Sequence, residues 1–398
     1  MGRIIKMIAI CVSFSMLTPL NTATFAKGPK KSHQGGPKNA HARGKNFRAG
    51  AVYVLTNQPN NTVAVFRRTA KGTLTFAAEF PTGGAGNPTP QPPDPATDPL
   101  ASQNALIIGP GNRFLFAVNP GSNQISVLKI NKNSLTMVDL VDSGGVRPIS
   151  LALDHDLLYV LNEGGTPNIT GFDVDEDGTL TPLADSTQPL IGGVAADPAQ
   201  IDFSQDGELL VVTEKNGNRI DTYTIDDDGL PSAPIDNASN GMTSFGFAFN
   251  NAGTLVVSEA FGGAPNQSAA SSYSAADNGT LSVISGSVAN SQTASCWVVI
   301  PNSGKFAFVS NTASGTISSY RINPVDGSLT LLNPVAASTG MGSAPIDMTL
   351  SVNSRFLFVL LGGNQSVASF RIGGGDGSLT PVDTIGGLPF GAQGIVAK

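Results

Sequence analysis

One apolar segment recurs seven times along this chain, and the repeat restricts the possible folds more than any other feature. Each copy is a short run of leucine, β-branched and aromatic residues, and most copies end in a polar residue such as Asn119, Asn162 or Glu214. The copies occupy residues 52–57, 114–119, 157–162, 209–214, 255–259, 306–311 and 356–361, mostly 43 to 52 residues apart. Strand-like segments at this period predict an array of small β-units.

A second signature follows each copy: a short alternating strand, a glycine turn and then leucine. Asp177 with Gly178, and Asp326 with Gly327, are examples of the turn. Asp-Gly between two alternating runs is a hairpin signal, because glycine adopts a positive φ without a Cβ clash. Each unit is therefore predicted to be a four-stranded antiparallel meander. We name its strands A (inner) to D (outer), and call the rim where A begins and B ends the top.

The two ends of the repeat array predict a closed ring. The first copy begins directly with its B strand at Val52, whereas residues 393–398 match an A strand with nothing after it. The expected fold is all-β: a seven-bladed β-propeller of four-stranded antiparallel blades, closed by the C-terminal strand, which completes blade 1. It occupies residues 49–398 as a single domain. An insertion at residues 85–101 carries six prolines, joins blades 1 and 2 on the top, and is either a lid or a surface loop.

The N-terminal residues predict export. Arg3 and Lys6 precede a short apolar stretch, and Ala26 follows a small-residue cleavage pattern, so residues 1–26 are expected to be a signal peptide. Residues 27–48 hold seven Lys/Arg and no acid, which predicts a disordered basic tail. The expected location is extracellular or periplasmic, with no transmembrane segment.

The composition of the body limits the chemistry. From Ala49 onward 14 Lys/Arg stand against 29 Asp/Glu, a formal charge of −15 that argues against nucleic-acid binding. Cys296 has no disulfide partner in the body, and His155 is the only histidine after the tail. His155 falls on a bottom turn, and residues 173–177 match the start of a calcium loop but are better explained by a hairpin turn. We therefore predict no metal and no cofactor.

The repeats, together with the motif Arg147 to Glu163, resemble the lactonase-like seven-bladed propellers, which include phosphogluconolactonases and carboxymuconate-cyclising enzymes. The strand ends are also similar to the YVTN-type repeats of surface-layer propellers. The resemblance implies a Pro-Arg-His at the start of one A strand and a Glu sixteen residues after the Arg. Arg147 and Glu163 match, whereas Pro148 stands in the histidine position. In blade 4 Gln200 takes that position and Glu214 falls one residue early.

The propeller topology places two kinds of candidate around the top of the axis: A-strand residues near the tunnel mouth and B-strand ends. The catalytic candidates are Arg147, Glu163 and Glu214, and the ligand-binding candidates are Asn104, Arg147, Gln200, Lys215, Glu259, Trp297, Asp347 and Gln393. An arginine anchors a carboxylate or oxyanion, and a buried glutamate is a candidate general base. The alternative is structural: Arg147 pairs with Glu163, polar strand ends cap backbone, and Trp297 packs.

Two functions remain open at this point. The first is a monomeric, non-catalytic binding protein for a small carboxylate or lactone, a glycan or a partner protein on the top face. The second is a metal-independent lactone hydrolase or cyclising lyase, slow or atypical because Pro148 and Gln200 cannot act as a general base.

Overall fold

Seven antiparallel sheets follow one another around a ring in the part of the chain that the computed structural model describes, residues 49–91 and 94–398. The predicted signal peptide and basic tail lie outside the described residues. Within those residues, no helix has the length and apolarity needed to cross a membrane.

The strands are grouped by blade as follows. Blade 1 has β1 (Gly50–Leu55), β2 (Thr62–Arg68) and β3 (Leu74–Pro81); blade 2 has β4 (Leu106–Ile108), β5 (Phe114–Asn119), β6 (Gln124–Ile130) and β7 (Leu135–Asp142). Blade 3 has β8 (Val146–Asp154), β9 (Leu157–Gly164), β10 (Asn168–Val174), β11 (Leu180–Pro182) and β12 (Gln188–Pro189). Blade 4 has β13 (Pro198–Phe203), β14 (Leu209–Glu214), β15 (Arg219–Thr224) and β16 (Ile235–Ala238).

Blade 5 has β17 (Ser244–Phe249), β18 (Leu255–Glu259), β19 (Ala269–Ala275) and β20 (Leu281–Ala289). Blade 6 has β21 (Ser295–Val299), β22 (Phe306–Asn311), β23 (Thr316–Ile322) and β24 (Leu329–Ser338), and blade 7 has β25 (Pro345–Leu350), β26 (Phe356–Leu361), β27 (Ser366–Ile372) and β28 (Leu379–Gly386). The final strand is β29 (Ile395–Ala397), and short 3-10 turns span Pro110–Asn112, Gly193–Ala195 and Phe261–Gly263.

Ring closure is confirmed. β29 pairs antiparallel with β1, with Val52 opposite Ala397 and Tyr53 opposite Val396. The backbone bond from Leu55 N to Gly394 O (3.0 Å) and the reciprocal bonds between Ala51 and Lys398 (3.1 and 2.9 Å) extend the pairing at both ends. The predicted fold class is therefore correct, including the completion of blade 1 by the C-terminal strand.

The core lies between neighbouring blades, where the B and C strands bury their side chains. Tyr159 in blade 3 is fully buried, packs edge-on against Phe203 of blade 4 with ring centroids 6.0 Å apart, and donates its hydroxyl to Gly229 O at 2.7 Å. The hairpin turns add to these contacts. Gly178 has a φ of +96°, and a Cβ there would approach Phe114 of blade 2 to 2.7 Å, so both its conformation and its packing require glycine.

Removal of residues 393–398 is predicted to leave β1 as an open edge and to separate blade 1 from blade 7. Exposed strand edges pair with other chains, so the truncated protein should aggregate or melt several degrees below the parent in a thermal scan. Lys398→Ala is the control, because it keeps the strand and removes only the last side chain. Equal melting temperatures for the truncation and the parent would contradict closure by β29.

Candidate functional site

In blade 3, a buried ion pair connects the start of β8 to the end of β9. Arg147 is the second residue of β8, where its φ of +56° turns the chain into the strand. Its Nε lies 2.5 Å from Oε2 of Glu163, which is near the end of β9, and the two side chains are only 5% and 8% exposed. Arg147 Nη1 is buried and has no hydrogen-bond partner among the described residues. The pairing that the sequence left as an alternative is therefore present, and it leaves one guanidinium nitrogen without a described acceptor.

A second cation is buried beside this pair. Lys215 follows β14, and its Nζ lies 2.9 Å from Asp197 Oδ1 and 3.3 Å from Asp94 Oδ1. It also stands 5.2 Å from the centroid of the Phe245 ring. Burial acts to lower the pKa of Lys215, but Asp94 and Asp197 outweigh that effect and the pKa is raised. Lys215 is therefore a buried, charged residue that links Asp94 to Asp197 on the top face.

The proline-rich insertion contacts both of these cations. Pro99 O accepts a hydrogen bond from Arg147 Nη2 at 2.7 Å, and Asp94 reaches Lys215. Asp98 is 2% exposed, and burial together with the neighbouring Asp94 raises its pKa well above the usual range. The insertion thus lies on the top of the propeller, as predicted. The sequence analysis did not identify Asp94, Asp98 and Asp197 as candidates. Asp94 and Asp98 could have been found, because both lie in an insertion that was expected to lie on top, at the rim carrying Arg147 and Lys215.

A cleft of about 480 Å³ opens beside the two ion pairs, and we call it the top cleft. Its walls include Gln91, Asn123, Arg147, Glu163, Asp197 and Asn216. Burial raises the pKa of Glu163, and Arg147 and Lys215 oppose the shift. Carboxylate oxygens of Asp94, Glu163 and Asp197 lie within 4.8 Å of one another, a spacing that a metal ion would suit, but the ammonium of Lys215 already contacts two of them. The cleft therefore combines a guanidinium donor with acidic acceptors.

The register of β8 differs from the sequence alignment. Leu151 pairs with Val160, as Ile201 pairs with Val212 and Met348 with Val359, so the structure aligns Arg147 with Asp197 and Ala344. The sequence comparison that placed Gln200 of blade 4 in the same position as Pro148 was therefore wrong by two residues, because Pro148 is equivalent to Pro198. β8 is nine residues long and carries an irregularity between Pro148 and Ser150, as β13 does between Pro198 and Gln200 and β25 between Pro345 and Asp347.

Several candidates from the inner strands join neighbouring blades instead of lining the top cleft. The Gln200 side chain donates to Phe247 O at 3.0 Å and accepts from Phe247 N at 2.8 Å. Asp347 accepts from Ile395 N at 3.1 Å, and Gln393 donates to Ser102 O at 3.0 Å. Each bond crosses from one blade to the next. These polar residues therefore hold the ring together.

The acidic strand ends of blades 4 and 5 cap loops. Glu214 is fully buried and accepts from Gly192 N at 2.9 Å, and Glu259 accepts from Gly241 N at 2.9 Å and from the hydroxyls of Ser271 and Ser287. Buried backbone N–H groups need such acceptors. Asp221, which hydrogen-bonds Glu214, has its pKa raised by burial and by that carboxyl. Both glutamates thus match the structural alternative.

Two further candidates also lie away from the top cleft. Trp297 is fully buried and packs edge-on against Phe245 with centroids 4.8 Å apart, in agreement with a packing role. Asn104 lies on the ring axis, where its amide is 3.3 Å from Asp202 Oδ2. Of the predicted site residues, the structure therefore brings Arg147, Glu163 and Lys215 together.

Comparisons with known proteins agree with this architecture. A family model described as "Lactonase, 7-bladed beta-propeller" matches residues 89–261 and 266–389. The 6-phosphogluconolactonases of Yersinia pestis and Yersinia pseudotuberculosis are 31% identical over 125 residues, which is 30% of this chain. The match spans only 35% of the length of these curated relatives.

Solved structures share the fold at low identity. The periplasmic gluconolactonase of Pseudomonas aeruginosa superposes with a TM-score of 0.66 at 16% identity, covering 87% of this chain and 98% of that one. A Bacteroides fragilis protein, provisionally named as a 6-phosphogluconolactonase, has a TM-score of 0.68 at 16% identity, covering 89% of this chain and 99% of that one. At these identities the likeness concerns the fold.

Replacement of Lys215 by methionine is predicted to destabilise the protein by about 3–5 kcal/mol near neutral pH, because it leaves buried carboxylates without a counter-ion. At about pH 8 Lys215 is fully protonated in the parent. The loss should shrink at about pH 4, since Asp94 and Glu163 have raised pKa values and become neutral as the pH falls. Denaturant unfolding at the two pH values measures both effects.

The exposed Lys132, which lies in a turn, provides the control Lys132→Met. A Lys215→Met protein as stable as the parent at about pH 8 would contradict a structural role for the buried ammonium.

Proposed function

We propose that this chain, which belongs to the lactonase family of seven-bladed β-propellers, binds a small lactone or the corresponding open hydroxy acid in the top cleft. One observation carries the proposal. Arg147 is held in the cleft wall by Glu163 and by Pro99 O, yet its buried Nη1 has no hydrogen-bond partner in the part of the chain that the structure describes. A buried donor of this kind is costly unless a ligand oxygen satisfies it. A lactone carbonyl or a carboxylate oxygen would do so.

The charge around the cleft favours an unphosphorylated ligand. The carboxylates of Asp94, Glu163 and Asp197 surround the two cations Arg147 and Lys215, so no positive charge is in excess. A phosphate group carries up to two negative charges and needs unpaired cations. The curated relatives are named for a phosphorylated lactone. For this chain we infer a neutral sugar lactone or a singly charged acid, with the carboxylates of Glu163 and Asp197 accepting its hydroxyls.

Lactone hydrolysis is the second candidate, and the environment of Glu163 favours it. Burial raises its pKa against the opposing charges of Arg147 and Lys215, which makes it a stronger base than an exposed carboxylate. In this mechanism Glu163 takes a proton from water as the water oxygen attacks the lactone carbonyl carbon, and Arg147 stabilises the developing oxyanion. The ring C–O bond then breaks, and Glu163 returns the proton to the leaving alkoxide, which gives the open hydroxy acid. His155 is the only histidine in the described residues, and its side chain is 86% exposed beside Asp154. Turnover would therefore be slow, independent of metal, and dependent on Glu163.

Export remains part of the proposal. Residues 1–26 carry the signal-peptide pattern, and residues 27–48 would then form a basic tail on an exported, monomeric propeller. An extracellular glycan or protein on the top face is the alternative partner, and it would be the better interpretation if no lactone or hydroxy acid binds.

Arg147→Ala is predicted to weaken the binding of lactones and hydroxy acids by roughly ten- to a hundredfold, because a charged hydrogen bond contributes about 1.5–3 kcal/mol. Isothermal titration calorimetry with glucono-lactone, gluconate and their 6-phospho forms measures this, and the phosphorylated members should bind more weakly. Arg219→Ala is the matched control, since Arg219 forms a partly exposed pair with Asp236 in blade 4.

Arg147→Lys tests geometry, because it keeps the charge but loses the planar fork, and it should bind at an intermediate level. If the parent binds no member of the panel, or if Arg147→Ala binds as the parent does, the top cleft is not the ligand site.

Glu163→Gln tests the hydrolytic candidate. The substitution keeps the size and the acceptor oxygen but removes the base, so turnover of glucono-lactone should fall by about 100-fold or more while calorimetric affinity stays within a few fold. Stopped-flow pH recording measures turnover, and Glu214→Gln serves as the control for a buried glutamate outside the cleft. Unchanged turnover in Glu163→Gln would exclude Glu163 as the base.

A further inference from the structure

The ring encloses a second cavity on its axis, below the layer of Gln103 and Gln200. Its volume is about 330 Å³, and its walls come from the inner strands of all seven blades. The lining extends to the last residues of those strands, such as Ile108, Val299 and Leu350, so the cavity lies in the bottom half of the propeller. We call it the axial channel. The volume is at the lower end of the range that proteins use for small organic ligands.

A single ionisable group lines this channel in the described part of the chain. Asp202 belongs to β13, and its Oδ2 lies 3.3 Å from the amide of Asn104 while its Oδ1 accepts from the adjacent Phe203 N at 2.9 Å. No lysine or arginine is among the lining residues. Burial raises the pKa of Asp202 to about 6, so the carboxyl is ionised near pH 8 without a counter-ion. An ionised carboxylate in an enclosed site normally has a cationic partner.

A second acceptor lies in the same channel. Gln103 is 5% exposed, and its Nε2 donates to Val298 O and Met348 O at 3.4 Å. Its Oε1 is buried and has no hydrogen-bond partner. The neighbouring Gln200, by contrast, uses both ends of its amide on Phe247. Among the described residues, the channel therefore holds one carboxylate that has hydrogen-bond donors but no cationic partner, and one amide oxygen that has no donor.

The remaining walls are apolar. They include Leu106, Leu151, Val298, Met348 and Ile395. A divalent metal ion needs six or more oxygen ligands, or a cluster of carboxylates, and this lining offers only one carboxylate. An anion would be repelled by Asp202. A cation with N–H donors and a hydrocarbon chain satisfies both the acceptors and the apolar walls.

We propose that the axial channel binds a small organic ammonium ion, with its ammonium group on Asp202 and Gln103 Oε1 and its hydrocarbon chain along the leucine and valine walls. An ammonium group has three donors and no acceptor, which fits a site of unsatisfied acceptors. This site is separate from the top cleft and does not depend on the ligand bound there.

The test is calorimetric titration at about pH 8 with n-pentylamine hydrochloride, and with 1-pentanol as the uncharged analogue of the same length. The parent should bind the amine at least tenfold more tightly than the alcohol. Asp202→Asn should weaken amine binding at least tenfold, because the charge is lost while the shape is kept. Asp277→Asn is the matched control, since it removes one charge from an exposed turn and should leave binding unchanged.

Gln103→Met provides a second variant, and it should weaken amine binding a few fold by removing the amide oxygen. The melting temperature of Asp202→Asn serves as the folding check and should equal or exceed that of the parent, because a carboxylate without a counter-ion is removed. The proposal is overturned if the parent does not bind pentylamine, if Asp202→Asn binds it equally well, or if pentanol binds as tightly as the amine. Calcium binding that Asp202→Asn abolishes, without amine binding, would also overturn it.

Discussion

The pairing of β29 with β1 is the interaction on which the rest of this structure depends. Each blade is a sheet of four strands, the outermost of which is divided into β11 and β12 in blade 3, and a single sheet of that size cannot bury both of its apolar faces. Stacking seven sheets in a ring solves the problem only if the last sheet meets the first. The chain meets that condition by completing blade 1 with its last residues, so the backbone bonds between Gly394–Lys398 and Ala51–Leu55 fix the ring. The axial channel exists only because the ring is closed, since its walls come from all seven blades.

Closure also explains the distribution of polar residues. The inner strands converge on the axis, where their polar side chains are buried and their hydrogen-bonding groups need partners within the protein. Gln200 and Asp347 bond to the next blade for this reason, and Glu214 and Glu259 cap loops at the rim. Arg147 in the wall of the top cleft and Gln103 in the axial channel each keep one polar atom without a partner among the described residues, and Asp202 has hydrogen bonds but no cation beside it in the channel lining. What sets these two places apart is an unmatched polar or charged group in the wall of a cavity.

The fold could be predicted because its signal is repeated. Seven copies of one strand, each followed by a glycine turn, determine the blade count, and the unmatched strands at the two ends predict closure. The register of the inner strands could not be read in the same way, because those strands are short, differ in sequence between blades, and carry a register irregularity near their start in blades 3 to 7. Asp94 and Asp98 depend on how a long insertion folds over the rim, which no repeat specifies. Asp202 lies between Ile201 and Phe203, in an alternation of apolar and polar residues that is typical of any half-buried strand. The sequence therefore does not indicate that Asp202 lines the axis, and this position is seen only in the closed ring.

We propose that the ligand binds in the top cleft, where the guanidinium of Arg147 is held by Glu163 and the insertion while Lys215 is neutralised by Asp94 and Asp197. A crystal structure of the full propeller soaked with gluconate tests this assignment most directly. The account predicts that a ligand oxygen lies within hydrogen-bond distance of Arg147 Nη1, with the Arg147–Glu163 and Lys215–Asp197 pairs intact. Gluconate bound elsewhere, or bound only after Asp94 has left Lys215, would contradict it.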